Sequence, residues 1–218
     1  MSQTQQSDLI SITDVAAKLP QFIAKVPHLL TGLKQAYIRT PDTPAGLGLA
    51  FEKAVKRNPR GYALLFEDQK YTYLALNEWV NQIAHYYLSI GARKGDVIAV
   101  MVENRSELVA TVLGLAKIGV TIALVNTSQT GKVLTHSINL VKPIALIVGE
   151  EVRSAIDDIR QDILLLEDRF YWFANQATRA DVGKAPKHYQ NLAEKIENFP
   201  KFNVATTQSV QGKDGLFY

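Results

Sequence analysis

The sequence predicts an α/β fold: a partial doubly wound parallel sheet, preceded by a short β-hairpin and an N-terminal helical segment. Three observations predict it. The runs 97–102, 121–125 and 144–148 are strand-length, apolar throughout and rich in β-branched residues, as expected of strands covered on both faces. The intervals 106–118 and 131–141 each carry a helical pattern. Strands alternating with helices at this spacing require right-handed crossovers and therefore a parallel sheet.

Taken in order, residues 9–39 form the first distinct segment. Val15, Leu19, Phe22, Ile23, Val26, Leu29, Leu30 and Leu33 recur at three- and four-residue steps, which makes an apolar helical face. Pro20 and Pro27 interrupt the pattern and predict two or three short helices instead of one rod. Lys18, Lys25, Lys34 and Arg39 lie among the apolar positions with only Asp14 opposing them. A basic amphipathic stretch of this kind suits an anionic membrane surface. The commoner role of such a helix is packing on the main domain with its lysines solvated. Thr40-Pro41-Asp42-Thr43-Pro44-Ala45-Gly46 then reads as a turn or linker. The expected division is an amphipathic helical segment over 1–45 and an α/β part over 46–218.

A helix is expected over 47–57, ended by Asn58-Pro59, and a β-hairpin over 63–73 with its turn at Glu67-Asp68-Gln69-Lys70. From Leu74 the period becomes 3.6: Leu76, Trp79, Val80, Ile83, Ala84, Tyr87 and Leu88 share one face, and Gly91 stands at the C-terminal cap. Ser106 is placed to cap the helix after the first strand, with Gly119 as its stop. After the third strand a helix over about 150–160 is expected, then a further strand at 163–166, a polar loop over 175–186 and a short helix over 189–198. Gly212-Lys213-Asp214-Gly215 is a turn, and Leu216-Phe217-Tyr218 begins an apolar run without continuation. Natural termini are usually polar, so the expectation is a chain cut one step into a strand.

Composition narrows the function classes. Of 218 residues 47% are hydrophobic and 21% charged, and 24 basic against 21 acidic residues leave a net charge of +3. That surplus argues against a nucleic-acid partner, which calls for a clustered basic stripe. The absence of cysteine excludes disulfides, thiolate catalysis and cysteine-bound metals. Met1 to Asp8 has no secretory pattern, and no apolar run reaches the ~18–20 residues that span a bilayer. The expected location is cytoplasmic, with attachment at the inner face of a membrane as the variant.

Parallel α/β sheets bind ligands beyond the carboxyl ends of their strands. The loops there are Glu103-Asn104-Arg105 and Asn126-Thr127-Ser128-Gln129-Thr130; Asn104, Asn126 and Thr127 are the substrate-binding candidates. No catalytic or metal-ligating residue is assigned. The second loop leads into Gly131-Lys132, yet a phosphate-binding P-loop needs glycine at 126 and a hydroxyl at 133, where Asn126 and Val133 stand. No dinucleotide fingerprint follows any strand. His28, His85, His136 and His188 are scattered without zinc-site spacing. Glu150-Glu151 and Asp157-Asp158 read as solvated pairs, and Tyr171-Trp172-Phe173 as core packing.

At these same residues the chain resembles a known family. Tyr71-Thr72-Tyr73-Leu74-Ala75-Leu76, Gly95-Asp96-Val97-Ile98-Ala99-Val100 and Leu113-Gly114-Leu115-Ala116-Lys117-Ile118-Gly119 look like the N-terminal region of AMP-forming acyl-CoA synthetases. Val125-Asn126-Thr127 with Leu134-Thr135-His136-Ser137-Ile138 is similar to the branch of very-long-chain acyl-CoA synthetases and fatty acid transport proteins. The resemblance runs from about 50 to 218 and is strongest over 71–149. It implies that a fatty acid carboxylate attacks the α-phosphate of ATP, giving acyl-AMP and pyrophosphate, and that the thiol of coenzyme A then takes the acyl group.

In such enzymes a strand like Leu216-Phe217-Tyr218 leads into a Ser/Thr/Gly-rich loop that grips the ATP phosphates. The adenine- and Mg2+-binding motifs and a mobile C-terminal domain follow. The resemblance therefore implies an N-terminal fragment, inactive alone, whose partner is the remainder of the synthetase chain. Two positions depart from the pattern. Ala75 stands where an acidic residue usually completes a capping box, at a cost of about 0.5–2 kcal/mol. Thr130 stands where the related branch commonly has arginine. The alternatives are a non-catalytic flavodoxin-like binding module and a membrane-surface adaptor.

Overall fold

The computed structural model describes residues 12–38, 40–175, 184–211 and 214. They belong to two compact units, Met1–Asp42 and Thr43–Tyr218. The first unit contains helix α1 (Ile12–Ile38), which continues through Pro20 and Pro27. This corrects the expectation of two or three short helices. The prolines are seven residues apart, two turns, so they lie on one face and free the carbonyls of residues 16 and 23 along the same line. Pro20, Ile23 and Pro27 are exposed, so water can meet that line, and the helix persists.

The second unit starts with α2 (Leu47–Arg57) and a hairpin of β1 (Tyr62–Phe66) and β2 (Gln69–Thr72). Glu67 turns the hairpin with φ 50. Helix α3 (Tyr73–Ser89) follows at once, and the Thr72 hydroxyl accepts from the Ala75 N–H at 3.1 Å. The forward half of the cap thus stands without an acidic partner at 75. Gly91, with φ 95, stops the helix.

The main sheet then builds from β3 (Val97–Met101), β4 (Thr121–Leu124), β5 (Ala145–Gly149), β6 (Phe170–Phe173) and β7 (Gln190–Asn191), all paired in parallel. Its order is β4-β3-β5-β6-β7. Helix α4 (Ser106–Lys117) joins β3 to β4, and α5 (Gly131–Leu140) joins β4 to β5. Alternate side chains face two separate cores, as the two-residue period of strands requires. Ile98, Val100, Ile122, Ile147, Tyr171 and Phe173 pack with α3 and α4. Ala99, Met101, Leu146, Val148, Phe170 and Trp172 pack with α5 and α6 (Arg153–Asp157). The doubly wound parallel sheet is as the apolar runs predict.

Several local expectations are corrected. Residues 163–166 are no strand: Leu164 and Leu166 are exposed, because no layer covers them on both sides. The strand is the aromatic run 170–173, buried throughout, which supplies the core packing expected of Tyr171-Trp172-Phe173. The helix expected over 150–160 splits into short 3-10 turns around α6. The helix expected over 189–198 is shorter, because Gln190 and Asn191 pair with β6 before α7 (Leu192–Ile196) begins. Ser106 is the first residue of α4 and Arg105 holds the cap position. The strand start expected at Leu216-Phe217-Tyr218 lies outside the described residues.

Candidate functional site

The strand order reverses direction at β3: the chain moves to β4 on one side, then crosses to β5 on the other. In open α/β sheets the crevice beyond the carboxyl ends at such a point is the usual ligand position. Here the chain's own side chains fill it. Arg105 is buried between the ends of β3 and β5, with 3% of its side chain exposed. Its Nη1 donates to Ala174 O at 3.0 Å and lies 2.7 Å from Glu107 Oε2. Its Nη2 donates to Phe173 O at 2.7 Å and to Glu151 Oε2 at 3.3 Å, and its Nε to Glu151 Oε1 at 3.5 Å. A guanidinium has five N–H donors, and each has an acceptor here.

Glu151 is exposed, as expected of that acidic pair, but its carboxylate is also engaged by Arg105. Its Oε1 accepts the Glu103 N–H at 2.6 Å, and Gly149 has no space for a Cβ beside that carboxylate. The open cleft is displaced by one strand. It has a volume of about 520 Å³ and lies between the ends of β3 and β4, lined by Val100, Val102, Glu103, Asn104, Leu108, Leu124, Val125, Asn126 and Thr127. Asn104, Asn126 and Thr127 are thus brought together around one cavity. Its floor is aliphatic and its rim polar, the usual composition of a small-molecule site.

Local chemistry shapes that rim. Asn126 Oδ1 accepts the Ser128 N–H at 2.9 Å and Asn126 O accepts the Gln129 N–H at 3.1 Å, which folds the loop into an Asx-turn. Asn104 and Asn126 are exposed, while Thr127 is half-buried. Gly131, with φ 55, then turns the chain into α5, where Thr130 makes no capping bond through its side chain. Behind the cleft, the hairpin is tied to the start of α4, because Ser106 Oγ and Tyr71 OH both donate to Gln69 Oε1 at 3.1 Å. Burial raises the Tyr71 pKa, the Glu107 charge raises it further, and the bond with Ser106 opposes both.

The lining residues do not fit ATP phosphates. None of them is a cation, Glu103 is anionic, and Arg105 is committed on every donor. Among the described residues no group of three His, Asp or Glu side chains is placed to hold a metal ion. His85 bonds Phe202 O at 3.0 Å and His188 lies 3.9 Å from Glu167, both away from the cleft. A separate cleft of about 380 Å³ lies at the opposite, amino ends of the strands, beside Ile90, Pro143 and Leu164–Leu166.

Comparison with known proteins agrees with this architecture. The AMP-binding enzyme family model matches residues 51–207. Medium/long-chain-fatty-acid–CoA ligase FadD6 of Mycobacterium tuberculosis is 28% identical over 218 residues, covering 96% of this chain and 32% of its own length. Long-chain fatty acid transport protein 6 of Homo sapiens is 31% identical over 139 residues, covering 63% of this chain and 22% of its own. The chain therefore spans less than a third of the length of either relative. The crystal structure of the anthranilate CoA ligase AuaEII with anthranoyl-AMP matches the fold with a TM-score of 0.70 at 19% identity, over 82% of this chain and 32% of that one. With the matched stretch running from α2 through the hairpin and the whole parallel sheet, the chain belongs to the AMP-binding enzyme family.

Proposed function

We propose that the protein to which this chain belongs is an AMP-forming fatty acyl-CoA ligase, converting ATP, a fatty acid and CoA to acyl-CoA, AMP and pyrophosphate. The observation that carries this reading is the family match laid over an aliphatic cleft at the carboxyl ends of β3 and β4. The names of the relatives, a fatty-acid–CoA ligase and a fatty acid transport protein, support the choice of acid. In this reading the chain supplies the N-terminal scaffold and one wall of the acyl site. Asn104, Asn126 and Thr127 hydrogen-bond the polar end of the substrate, while Val100, Val102, Leu108 and Leu124 meet its hydrocarbon. ATP, Mg2+ and CoA are held by the remainder of the synthetase, because the cleft offers phosphate no cation.

The test is fatty-acid-dependent AMP release and acyl-CoA formation by the full-length protein. Turnover that needs ATP, CoA and a fatty acid supports the reading. Saturable binding of fatty acid with no AMP released would favour a non-catalytic binding module. The 218-residue chain alone is expected to show no fatty-acid-dependent ATP–pyrophosphate exchange, and detectable exchange would overturn the division of labour.

The membrane surface enters through α1. Leu19, Ile23, Leu29, Leu30 and Leu33 are all more than half exposed, and Lys18 and Lys25 are exposed beside them. No helix among the described residues is long and apolar enough to cross a membrane. An amphipathic helix with this arrangement suits the plane of an anionic membrane, which would place a cytoplasmic enzyme at the source of its substrate.

A further inference from the structure

We propose that Arg105 is a positioning residue, acting through Glu151 to hold the Glu103–Asn104 rim of the cleft in place. Arg105 follows the rim directly in sequence, so its anchoring fixes the exit of the loop. Its guanidinium reaches the carbonyls of Phe173 and Ala174 at 2.7 and 3.0 Å, at the end of β6. The same guanidinium grips both oxygens of Glu151. Glu151 Oε1 in turn takes the Glu103 N–H at 2.6 Å. The rim is thus secured on both sides by one buried cation: through the chain at 105, and through a carboxylate brought from beyond β5.

The charges show why this arrangement is rigid. Arg105 sits against two carboxylates, with its side chain 3% exposed and those of Glu107 and Glu151 1% and 20% exposed. The bidentate Arg105–Glu151 pair is directional, and removing its carboxylate leaves the buried guanidinium one partner short. Lysine cannot replace the fork, because its point charge reaches neither both carbonyls nor both carboxylate oxygens together. Glutamine at 151 keeps one acceptor oxygen for the Glu103 N–H but loses the charge and the second oxygen that meets Arg105 Nη2; alanine loses every one of these contacts. The kinetic consequence rests on the acyl-CoA ligase reading above, whereas the placement of the rim does not.

The experiment compares Glu151→Ala, Glu151→Gln and Arg105→Lys in the full-length protein, by hydrogen exchange over 102–106 and by steady-state kinetics. Glu151→Ala should speed exchange at 102–106 by about tenfold while 97–101 stays as in the parent, and Glu151→Gln should restore most of the protection. The same alanine variant should raise KM for the fatty acid by about tenfold with kcat within about twofold, the signature of lost substrate placement. Unchanged exchange at 102–106 in both Glu151→Ala and Arg105→Lys would overturn the proposal. So would an equal rise in exchange across 97–106, which marks general destabilisation. A parent protein without turnover would reject the ligase reading alone and leave the exchange result to decide the positioning role.

Discussion

Lys117 Nζ and Asn81 Oδ1 lie 2.6 Å apart in a site where both side chains are fully buried. The same ammonium meets Asn77 Oδ1 at 2.7 Å, Asn203 Oδ1 at 3.0 Å and Glu52 Oε1 at 3.0 Å. One charge therefore ties α2, α3 and α4 to the segment after α7. That segment is held further by Asn81 Nδ2 on Lys201 O and Gln82 Nε2 on Glu197 O, both at 2.7 Å. Replacing Lys117 with Met takes the donor from the Glu52 carboxylate and from the amide oxygens of Asn77 and Asn81, while Asn203 Oδ1 keeps the Asn77 and Asn81 amides as donors. Breaking a buried pair from one side costs about 3–5 kcal/mol, and Lys117→Met is expected to lose that much in urea denaturation. A variant as stable as the parent would show that the cage adds nothing.

Buried phenols, Tyr86 and Tyr87 among them, are expected to make the fold sensitive to alkali. Burial raises the Tyr86 pKa, and its hydrogen bond with Tyr171 raises it further. Burial is also the main cause at Tyr87, ahead of the neighbouring Tyr171 and Tyr86 charges. The unfolded chain ionises near the ordinary value of 10.0 while the folded chain keeps its protons. Stability is thus fully present below that value and is lost as pH rises toward the folded pKa values. Lys117 acts with the opposite sign: burial lowers its pKa from 10.5, so its penalty shrinks as pH approaches that value. Urea midpoints are expected to hold from pH 7 to about 9.5 and fall beyond pH 10, less steeply in Tyr86→Phe. An equal slope in that variant would remove Tyr86 as a cause.

The crossing of α3 and α4 depends on Gly114. A Cβ built there would lie 2.8 Å from Ile83 Cγ2 and 3.1 Å from Val80 O, and the backbone carbonyl cannot turn aside. Overpacking a close crossing costs about 1–3 kcal/mol. Gly114→Val is expected at or above the upper end and Gly114→Ala nearer the lower, despite the better helix propensity of alanine. Thermal melting checks the order, and an alanine variant more stable than the parent would contradict this close packing.

The parts of this protein legible in sequence are those set by local pattern. The strands β3, β4 and β5 declare themselves because both their faces are apolar, and Asn104, Asn126 and Thr127 follow from the strand-end rule. Strand β6 is harder, because Ile163-Leu164-Leu165-Leu166 is as apolar as a strand; only the absence of a covering layer distinguishes it from Phe170–Phe173. The role of Arg105 lies beyond local pattern. Its partner Glu151 is 46 residues away, and the two meet only because β5 lies beside β3. Hydrophobic patterning predicts a parallel sheet without ordering its strands, so a buried ion pair across the switch point stays hidden. The one available signal is the pair of charges in Arg105-Ser106-Glu107, at the mouth of a helix whose next residues are apolar.

The exposed face of α1 leads to the last prediction. At 100° per residue, Leu19, Ile23, Val26, Leu30 and Leu33 fall on one stripe, and Lys18 and Lys25 border it on one side. Such lysines can lay their methylene stems along the membrane and keep their ammonium groups among lipid headgroups. Apolar burial and charge attraction should then contribute separately. Full-length protein is expected to bind vesicles containing anionic lipid and to bind neutral vesicles much more weakly, with each lysine near the surface contributing about 1 kcal/mol at low salt. Lys18→Glu with Lys25→Glu should remove the lipid-charge preference, whereas Ile23→Glu with Leu30→Glu should abolish binding to both vesicle types. Co-sedimentation measures all three, with circular dichroism confirming that the variants stay folded. Binding that survives the Ile23 and Leu30 changes would place the membrane contact elsewhere, and binding insensitive to lipid charge would leave the lysines without a role.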